Sequence, residues 1–388
     1  MSVSSRRSDV VIIGGGVIGL AVAWRAARAG LAVTLADDDP AGGASHAAAG
    51  MLCPVTEAHY GEEALLALNL ASARSWPSFT AELEEASGRP VGYRSEGTLA
   101  VAFDDDDLRV LEELHRYHVE LGLGGERLRG RECRSLEPML SPRVRGGILV
   151  PGDHQVDARA VTAALLVAAD QAGVDVHRER VVELGVEGGR ATGVRLAGGD
   201  VVSAGTVVLA AGSWSGALAG LPAAAAPPVR PVKGQILRLW GPPDRPVLHH
   251  NLRGLRQGRS VYLVPRSNGR VVVGATVEEQ GFDTTVTAGA VHELLEDAVE
   301  LVPAVGELEL VEAIARLRPG TPDNAPLIGP SALPGLVMAT GHYRNGILLT
   351  PVTADAVREL LVTGTLPEVA APFSPLRFAS VTAEQALA

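Results

Sequence analysis

The chain has 388 residues, of which 46% are hydrophobic and 20% charged, so it can bury a large core in two domains or one large domain. Its formal net charge of −11 argues against nucleic acid or an anionic membrane surface as a partner. The two cysteines, Cys53 and Cys133, lie far apart without a CxxC or Cys/His cluster, which argues against a zinc site or a disulfide framework.

The start of the chain predicts a βαβ unit. The unit consists of a β-branched run over residues 9–13, a glycine turn over 14–19, an alanine-rich helix over 20–29 and a strand over 31–35. Arg6 and Arg7 precede the run as in an export signal, but the run leads directly into the glycine turn, as a buried first strand does. No apolar stretch approaches the roughly 18 to 20 residues that cross a bilayer. We therefore expect a cytoplasmic protein without stable membrane insertion.

The glycine turn has the spacing of a dinucleotide-binding fingerprint. Gly14, Gly16 and Gly19 fill GxGxxG, and Asp37 lies 18 residues past Gly19, at the end of the second predicted strand. Glycines let the backbone approach a pyrophosphate at a helix N-terminus, and the carboxylate accepts a ribose hydroxyl. A glycine turn in an unrelated α/β protein is the alternative. A second GxGxxG for NADPH is missing from the chain, so we expect the substrate, not a nicotinamide, to be the reductant.

Residues 42–51, Gly-Gly-Ala-Ser-His-Ala-Ala-Ala-Gly-Met, are too rich in small side chains for an ordinary surface loop. Small side chains permit close approach of the backbone to a flat ring. A tight helix-packing segment is the alternative, and His46 is expected to be satisfied or solvent-facing rather than catalytic.

Two helices are predicted in the next stretch, over 62–88 with an interruption at Pro77 and over 107–121. The acidic run Asp104 to Asp107 is expected to cap the second helix and to face water. It is not a predicted metal site, because adjacent carboxylates rarely converge on one ion.

The remaining pattern divides the chain into two discontinuous domains. Further helices are predicted over 157–172 and 287–302, and further strands over 181–186, 191–196, 201–202, 206–210, 235–240, 261–264, 271–275 and 308–317. We expect a nucleotide-binding domain over 1–60, 150–228 and 319–375, and a substrate-binding domain over 61–149 and 229–318. The latter is rich in strands that favour an antiparallel sheet.

The segment near the C-terminus, residues 341–351, reads Gly-His-Tyr-Arg-Asn-Gly-Ile-Leu-Leu-Thr-Pro. A strand over 337–340 is predicted to precede it, and Asn345 or Gly346 is predicted to open a helix that runs to about Val362. Such a helix directs free backbone N–H groups and the positive end of its dipole at its surroundings. An electron-rich cofactor oxygen would be stabilised there.

This segment, together with Leu317-Arg318-Pro319-Gly320-Thr321-Pro322-Asp323, resembles the glycine oxidases of the D-amino-acid-oxidase and sarcosine-oxidase group of flavoproteins. The resemblance extends from about Val10 to Val362. It implies an α/β fold in which a Rossmann-like FAD-binding domain carries an inserted α+β substrate domain built on an antiparallel sheet. Sarcosine oxidases often attach flavin through a late cysteine, and none follows Cys133, so a non-covalent FAD is expected.

The resemblance also implies which residues surround the cofactor. These are Gly14, Gly16, Val17, Ile18, Gly19, Asp37, Asp38, Ala44, Ser45, Ala49, Gly50, Met51, Val181, Gly212, His342, Tyr343, Arg344, Asn345, Gly346, Ile347 and Leu348.

Three residues are implied to bind and orient the substrate carboxylate. Arg318 ends a predicted strand, where a rigid backbone would fix a planar guanidinium against a carboxylate. Arg344 matches a second arginine of the family's substrate site, and Tyr262 matches a tyrosine whose hydroxyl helps to hold the carboxylate. Structural salt bridges are the alternative for both arginines, and packing is the alternative for the tyrosine.

The resemblance implies oxidative deamination of glycine, sarcosine or a small D-amino acid, with O₂ reduced to hydrogen peroxide. It also suggests supply of the glycine imine for thiazole synthesis in thiamine biosynthesis, with thiazole synthase as a partner, and a homotetramer. Val277 and Ser260 replace a methionine and a histidine that are common in the family, which leaves the substrate preference open. The alternatives are a D-amino-acid dehydrogenase, a sarcosine oxidase, a non-catalytic flavin-binding partner of thiazole synthase and a nicotinamide dehydrogenase.

Overall fold

The computed structural model describes residues 6–378, so the first five residues of the predicted nucleotide-binding domain lie outside it. Its α-helices are α1 (Val17–Arg28), α2 (Ala44–Ala47), α3 (Glu63–Ser87), α4 (Asp105–Glu120), α5 (Gly130–Leu136), α6 (Ala158–Gln171), α7 (Ala288–Leu301) and α8 (Thr350–Thr363). Its strands are β1 (Arg6–Ile13), β2 (Val33–Ala36), β3 (Met51–Leu52), β4 (Thr98–Ala102), β5 (Glu126–Arg129), β6 (Gly146–Val150), β7 (His154–Gln155), β8 (Asp175–His177), β9 (Val181–Glu187), β10 (Arg190–Leu196), β11 (Val201–Leu209), β12 (Arg230–Trp240), β13 (Asn251–Arg256), β14 (Arg259–Pro265), β15 (Arg270–Gly274), β16 (Glu309–Gly320), β17 (Leu327–Pro330) and β18 (Leu336–Thr340).

The first sheet confirms the predicted nucleotide-binding architecture. Its strand order is β17-β18-β11-β1-β2-β8, and β1 is parallel to both β2 and β11. The strands predicted over 201–202 and 206–210 form one strand, β11, which pairs with the parallel β1 along residues 202–209 and with the antiparallel β10 over residues 201–203. Helices α1, α3, α6 and α8 contribute to a common apolar cluster with β1 and β2. Both faces of a parallel sheet need such cover, because parallel strands are apolar on both sides.

The second sheet confirms the predicted α+β substrate domain. Its order is β16-β12-β15-β14-β13-β4-β6-β5, and every neighbouring pair is antiparallel except β4 and β13. Helix α7, which begins close to the predicted residue 287 and is capped by the Thr287 hydroxyl, packs its apolar face on this sheet. The strands come from two stretches of chain, β4 to β6 and β12 to β16. Strands β8 to β11 of the first sheet lie between these two stretches.

The predicted interruption of a helix at Pro77 is wrong, because α3 runs from Glu63 to Ser87 through the proline. Trp76 and Phe79, on either side of it, are both buried, and the Trp76 indole N–H donates to the Leu348 carbonyl over 2.9 Å. Continuous burial of this face offsets the single backbone hydrogen bond that proline removes. Since α3 packs against α6 and α8, we propose that it belongs with the nucleotide-binding domain and that the boundary predicted at residue 61 lies after Gly88.

The acidic run before α4 has two roles. Asp104 caps the helix as predicted, since its carboxylate accepts from the N–H groups of Asp106 and Asp107. The expectation that the whole run faces water is wrong for Asp107, which is 4% exposed. Its carboxylate accepts from the N–H groups of Gln257 at 2.8 Å and Gly258 at 2.9 Å, because the β13–β14 turn lies directly above it.

Two features are absent from residues 6–378. Within that range no three or more histidine, cysteine, aspartate or glutamate side chains are grouped so that they could hold a metal ion. No helix in the same range has both the length and the hydropathy needed to cross a membrane.

Candidate active site

The three fingerprint glycines have distinct roles in the turn between β1 and α1. Gly14 has φ +108°, and a Cβ there would lie 2.4 Å from the carbonyl oxygen of Ala210. A Cβ on Gly19 would lie 1.9 Å from the Gly14 oxygen. At Gly16 the nearest atom would be the Ser45 Oγ, at 3.6 Å, so the space in front of it is open. The first and third glycines therefore serve close packing, and the second leaves room for a phosphate group, as in dinucleotide-binding turns.

The end of β2 brings a carboxylate to the same turn. Asp37 accepts from the backbone N–H groups of Gly15, at 2.5 Å, and Asp39, at 2.7 Å. Burial is the main influence on this group and raises its pKa above the ordinary value. Helix α1 begins at Val17, whose N–H donates to the Ser45 hydroxyl over 3.0 Å. Asp37 thus lies where a ribose hydroxyl is expected, although the turn already uses part of its accepting capacity.

Other predicted cofactor residues lie around the carboxyl ends of the same strands. Val181 begins β9 and packs in an apolar cluster with Ile13 and Ala36. Gly212 follows β11 with φ +53°, and no atom lies within 4 Å of the position that a Cβ would take. Asp38 is exposed.

The small-residue segment 42–51 lies between the nucleotide turn and the substrate sheet. Its helix α2 brings Ser45 to Val17, and Ala47 and Ala49 pack in an apolar cluster that also contains Met51 and Tyr262. Gly50 has φ +76°, and a Cβ there would lie 2.0 Å from the Val156 oxygen, so no larger residue fits. The segment therefore connects the predicted cofactor site with the predicted substrate site.

The predicted helix start at Asn345 or Gly346 is wrong, because α8 begins at Thr350. Residues Tyr343–Asn345 form a 3₁₀ turn instead, and Tyr343 has φ +47°. The reason lies in Pro351, which has no N–H and is favoured in the first turn of a helix but disfavoured inside one.

The turn before α8 still presents free donors. Ile347 and Leu348 are 6% and 2% exposed, and their backbone N–H groups donate to no acceptor within residues 6–378. Leaving a buried N–H unpaired costs about 1–3 kcal/mol, so such groups are rare without a ligand. Free N–H groups suit an electron-rich oxygen of a flavin ring. The open space at Gly16 and these donors together fit an adenine-dinucleotide flavin.

His342, in the same segment, is neutral. Its ring lies 3% exposed and forms a 3.0 Å hydrogen bond between Nε2 and the Thr353 hydroxyl. Burial lowers its pKa to about 3.

This burial predicts a pH effect on stability. Between about pH 3 and 6.5, His342 binds a proton in the unfolded chain but not in the folded one. The free energy of unfolding therefore decreases as the pH falls through that range. From pH 7 to pH 5 we expect His342 to contribute roughly 2 kcal/mol of the decrease in the apoprotein's free energy of unfolding. Urea titrations of the wild type and His342→Gln at both pH values measure it. Equal losses in the two proteins would contradict the neutral assignment.

Arg318, on β16, is a cation without a carboxylate partner among the described residues, 6–378. Its Nη1 donates to the Thr276 carbonyl over 3.1 Å and approaches the Lys233 carbonyl at 3.5 Å. No carboxylate of residues 6–378 pairs with it. A Cβ on Gly234 of the neighbouring strand would lie 2.3–2.5 Å from the guanidinium, so the missing side chain makes room for it. The arrangement leaves the guanidinium available for an anion.

Gly234→Ala is expected to displace the Arg318 guanidinium, because the new methyl group overlaps its position. The flexible arginine can move, so the fold should survive, and we expect KM for the substrate to rise about tenfold or more, the equivalent of about 1.4 kcal/mol, with FAD still bound. Steady-state kinetics and the flavin spectrum measure both quantities. Gly289→Ala, at an open position at the start of α7, is the matched control. An unchanged KM in Gly234→Ala would show that the arginine does not need this space.

Tyr262 lies on the same sheet, opposite Gly274 of β15 and Arg253 of β13. A Cβ on Gly274 would lie 2.3 Å from the tyrosine oxygen, so a second glycine makes room for a predicted site residue. Burial raises the pKa of Tyr262, and the charge of Arg318 opposes that rise. The phenol is therefore neutral, and it lies within the electrostatic reach of Arg318.

Arg344 is in a different environment, because it has carboxylate partners. Its Nη2 lies 3.1 Å from a Glu62 oxygen, and its Nε lies 4.0 Å from a Glu57 oxygen. Glu57 also accepts from Arg253 over 2.6 Å. Arg344 therefore takes part in salt bridges with Glu62 and Glu57. Direct binding of the substrate by Arg344 stays a prediction.

Sequence reasoning missed the loop that carries Glu57. Asp153, fully buried, accepts from the N–H groups of Val55 at 3.0 Å and Thr56 at 2.8 Å, and burial raises its pKa to about 6. The pairing of Glu57 with Arg253 depends on the register of β13, which no local pattern gives. A usable signal was the position of Glu57, an acidic residue six positions after the end of the small-residue segment.

The family model for FAD dependent oxidoreductases matches residues 9–360. The chain belongs to this FAD dependent oxidoreductase family. FAD is therefore its cofactor, and the residues around Gly16 and Leu348 have the free space and donors to hold it.

Two relatives and one solved structure show which proteins of this family the chain is similar to. The bifunctional protein ThiO/ThiG of Trichormus variabilis is 36% identical over 361 residues, which cover 91% of this chain and 52% of that protein. The chain thus spans about half the length of the bifunctional relatives it matches. Hydrogen cyanide synthase subunit HcnC of Pseudomonas aeruginosa is 31% identical, with 99% of each chain covered. The crystal structure of glycine oxidase from Geobacillus kaustophilus superposes with a TM-score of 0.89 at 33% identity, covering 96% of this chain and 99% of that one.

Proposed function

We propose that this oxidoreductase oxidises glycine, and with it sarcosine and small D-amino acids, to the imino acid. The observation that supports it most is the Arg318 guanidinium, which lacks a carboxylate partner within residues 6–378 and lies near Tyr262. An amino acid offers a carboxylate to such a cation. The 34% identity to glycine oxidase of Geobacillus kaustophilus, over 96% of this chain, supports the same substrate class.

The residues act by binding and orientation. Bound FAD would supply the acceptor for a hydride from the substrate Cα and the reductant for O₂, with hydrogen peroxide as the product. Arg318 and the neutral Tyr262 hydroxyl hold the carboxylate, so that the Cα faces the cofactor side of the site. A substrate that binds as the free amine needs no side-chain base. Water then converts the imino acid to the oxo acid and ammonia.

Val277 adjoins Thr276, whose carbonyl contacts Arg318, and is 66% exposed. We propose that Val277, together with the short side chain of Ser260, leaves space for a substituent on nitrogen or Cα. We therefore include sarcosine and D-alanine among the substrates to be compared with glycine.

Product analysis under air tests the proposal. Purified protein with FAD and glycine should release hydrogen peroxide, ammonia and glyoxylate in equal amounts, whereas a flavin protein without turnover would release none. Reduction of a dye without peroxide would instead indicate a dehydrogenase. The likeness to HcnC along 99% of both chains favours cyanide formation as a second candidate, so cyanide is measured in the same samples.

The same relatives support a proposal for the biological role. In the bifunctional protein ThiO/ThiG a chain of this kind is part of a longer protein with a second function, which supports supply of an imine to thiazole synthase in thiamine biosynthesis. The non-covalent attachment of FAD, the cytoplasmic location and the homotetramer stay predictions. Denaturation followed by filtration tests the first, and light scattering tests the last.

A further inference from the structure

The carbonyl groups of segment 42–51 are held by arginine side chains from outside the segment. The contacts are Arg316 Nε to the Gly42 oxygen at 3.0 Å, Arg159 Nε to the His46 oxygen at 2.8 Å, Arg238 Nη2 to the same oxygen at 3.0 Å, and Arg266 Nη2 to the Ala49 oxygen. Three of these arginines belong to the substrate sheet, on β12, β16 and the residue after β14. The substrate domain thus fixes the backbone of the segment that faces the nucleotide turn.

The positive charge of this group is only partly compensated. Glu312 pairs with Arg159 at 2.7 Å and with Arg238 at 3.3 Å. Neither Arg266 nor Arg316 pairs with a carboxylate of residues 6–378. Burial lowers the pKa of Arg266 to about 10. It still exceeds physiological pH, so the side chain remains a cation.

Arg266 stands out among the four arginines. Its side chain is enclosed, since the residue is 7% exposed, and its two terminal nitrogens contact the Gln155 side-chain oxygen and the Ala49 carbonyl. Burying a cation that has no paired carboxylate costs several kcal/mol. The two oxygen contacts and the charge of Asp157, which forms no ion pair with Arg266, offset only part of this cost, and Nε of Arg266 has no hydrogen-bond partner within residues 6–378. An anionic or electron-rich group close to the segment would offset it. Ala49 and Tyr262 share one apolar cluster, so the contact between Arg266 and Ala49 lies beside the predicted substrate site.

We propose that Arg266 is a positioning residue for FAD, which fixes the Ala49 carbonyl and thereby the surface on which the flavin ring rests. Its charge also favours the reduced cofactor, which is the more negative form. This role does not depend on which amine the protein oxidises. The proposed role of Arg266 concerns bound FAD alone, so it is tested without an amino acid substrate.

The test compares Arg266→Met, which removes the charge and both contacts, with Arg266→Lys, which keeps the charge. Arg109→Met, at a side chain that is 75% exposed on α4, is the control. We expect Kd for FAD, measured by flavin fluorescence, to rise roughly 10- to 100-fold in Arg266→Met and less in Arg266→Lys. The reduction potential should become more negative in Arg266→Met than in Arg266→Lys, and the control should match the wild type.

Far-UV circular dichroism of the apoproteins separates folding from positioning. If Arg266→Met does not fold, Arg266→Lys carries the test, because it retains the charge and loses the forked contact. A Kd within twofold of the wild type in the folded variant, with an unchanged potential, would overturn the proposal.

Discussion

Arg318→Met is expected to lower kcat/KM for glycine by roughly 10²- to 10³-fold, because it removes the charge that we propose receives the substrate carboxylate. The guanidinium contacts the Thr276 and Lys233 carbonyls but no carboxylate of residues 6–378, so its loss leaves no internal ion pair broken. The effect should therefore fall on the substrate and not on the fold. Arg318→Lys keeps the charge but not the planar fork, and we expect an intermediate loss.

Three measurements check this prediction. Steady-state oxygen uptake with glycine gives kcat/KM, the flavin spectrum reports bound FAD, and thermal unfolding reports the fold. Arg109→Met is again the control, because its side chain is largely exposed on α4. A kcat/KM within threefold of the wild type in Arg318→Met would remove Arg318 from the substrate site. Loss of FAD together with activity would assign it to cofactor binding instead.

Gly16→Ala and Gly19→Ala are expected to separate cofactor binding from folding. A methyl group at Gly16 would have ordinary contact with the Ser45 Oγ, at 3.6 Å, so the apoprotein should accept it. It would occupy the space that we assign to a phosphate, and we expect Kd for FAD to rise roughly 10- to 100-fold, or about 1.4–2.8 kcal/mol. A methyl group at Gly19 would lie 1.9 Å from the Gly14 oxygen, so that variant should lose about 1–3 kcal/mol of the apoprotein's stability.

Urea unfolding of the apoproteins and fluorescence titration with FAD measure the two effects. The Gly16 variant should match the wild type in the first measurement and not in the second. Unimpaired FAD binding by Gly16→Ala would mean that the phosphate does not approach this residue.

Local patterns predicted the parts of the structure that depend on neighbouring residues. The GxGxxG turn, the capped helices α6 and α7 and the position of Asp37 depend on spacings within about 20 residues of chain, which the sequence displays directly. The sequence pattern predicts the start of α8 several residues too early. Residues 347 and 348, which carry the free donors, belong to a turn, and Pro351 sets the start of the helix at Thr350.

The features that local patterns did not predict depend on the pairing register of strands that are distant in the sequence. Gly234 makes room for Arg318 only because β12 and β16 pair with Val232 opposite Arg318, and Gly274 lies under Tyr262 by a similar coincidence of register. The helix through Pro77 depends on packing against distant chain, including the Leu348 carbonyl. Propensity rules, which weigh each residue in its own window, do not contain these contacts.

The proposed function requires that glycine reduces the bound flavin through a site built around Arg318. An anaerobic titration of purified protein with glycine, followed at the flavin absorbance, tests it directly, with sarcosine and D-alanine titrated in parallel. We expect glycine to bleach the flavin band of the wild type, whereas Arg318→Met retains the band at the same glycine concentration. A wild-type band that dithionite bleaches, but that none of the three amino acids affects, would contradict the account.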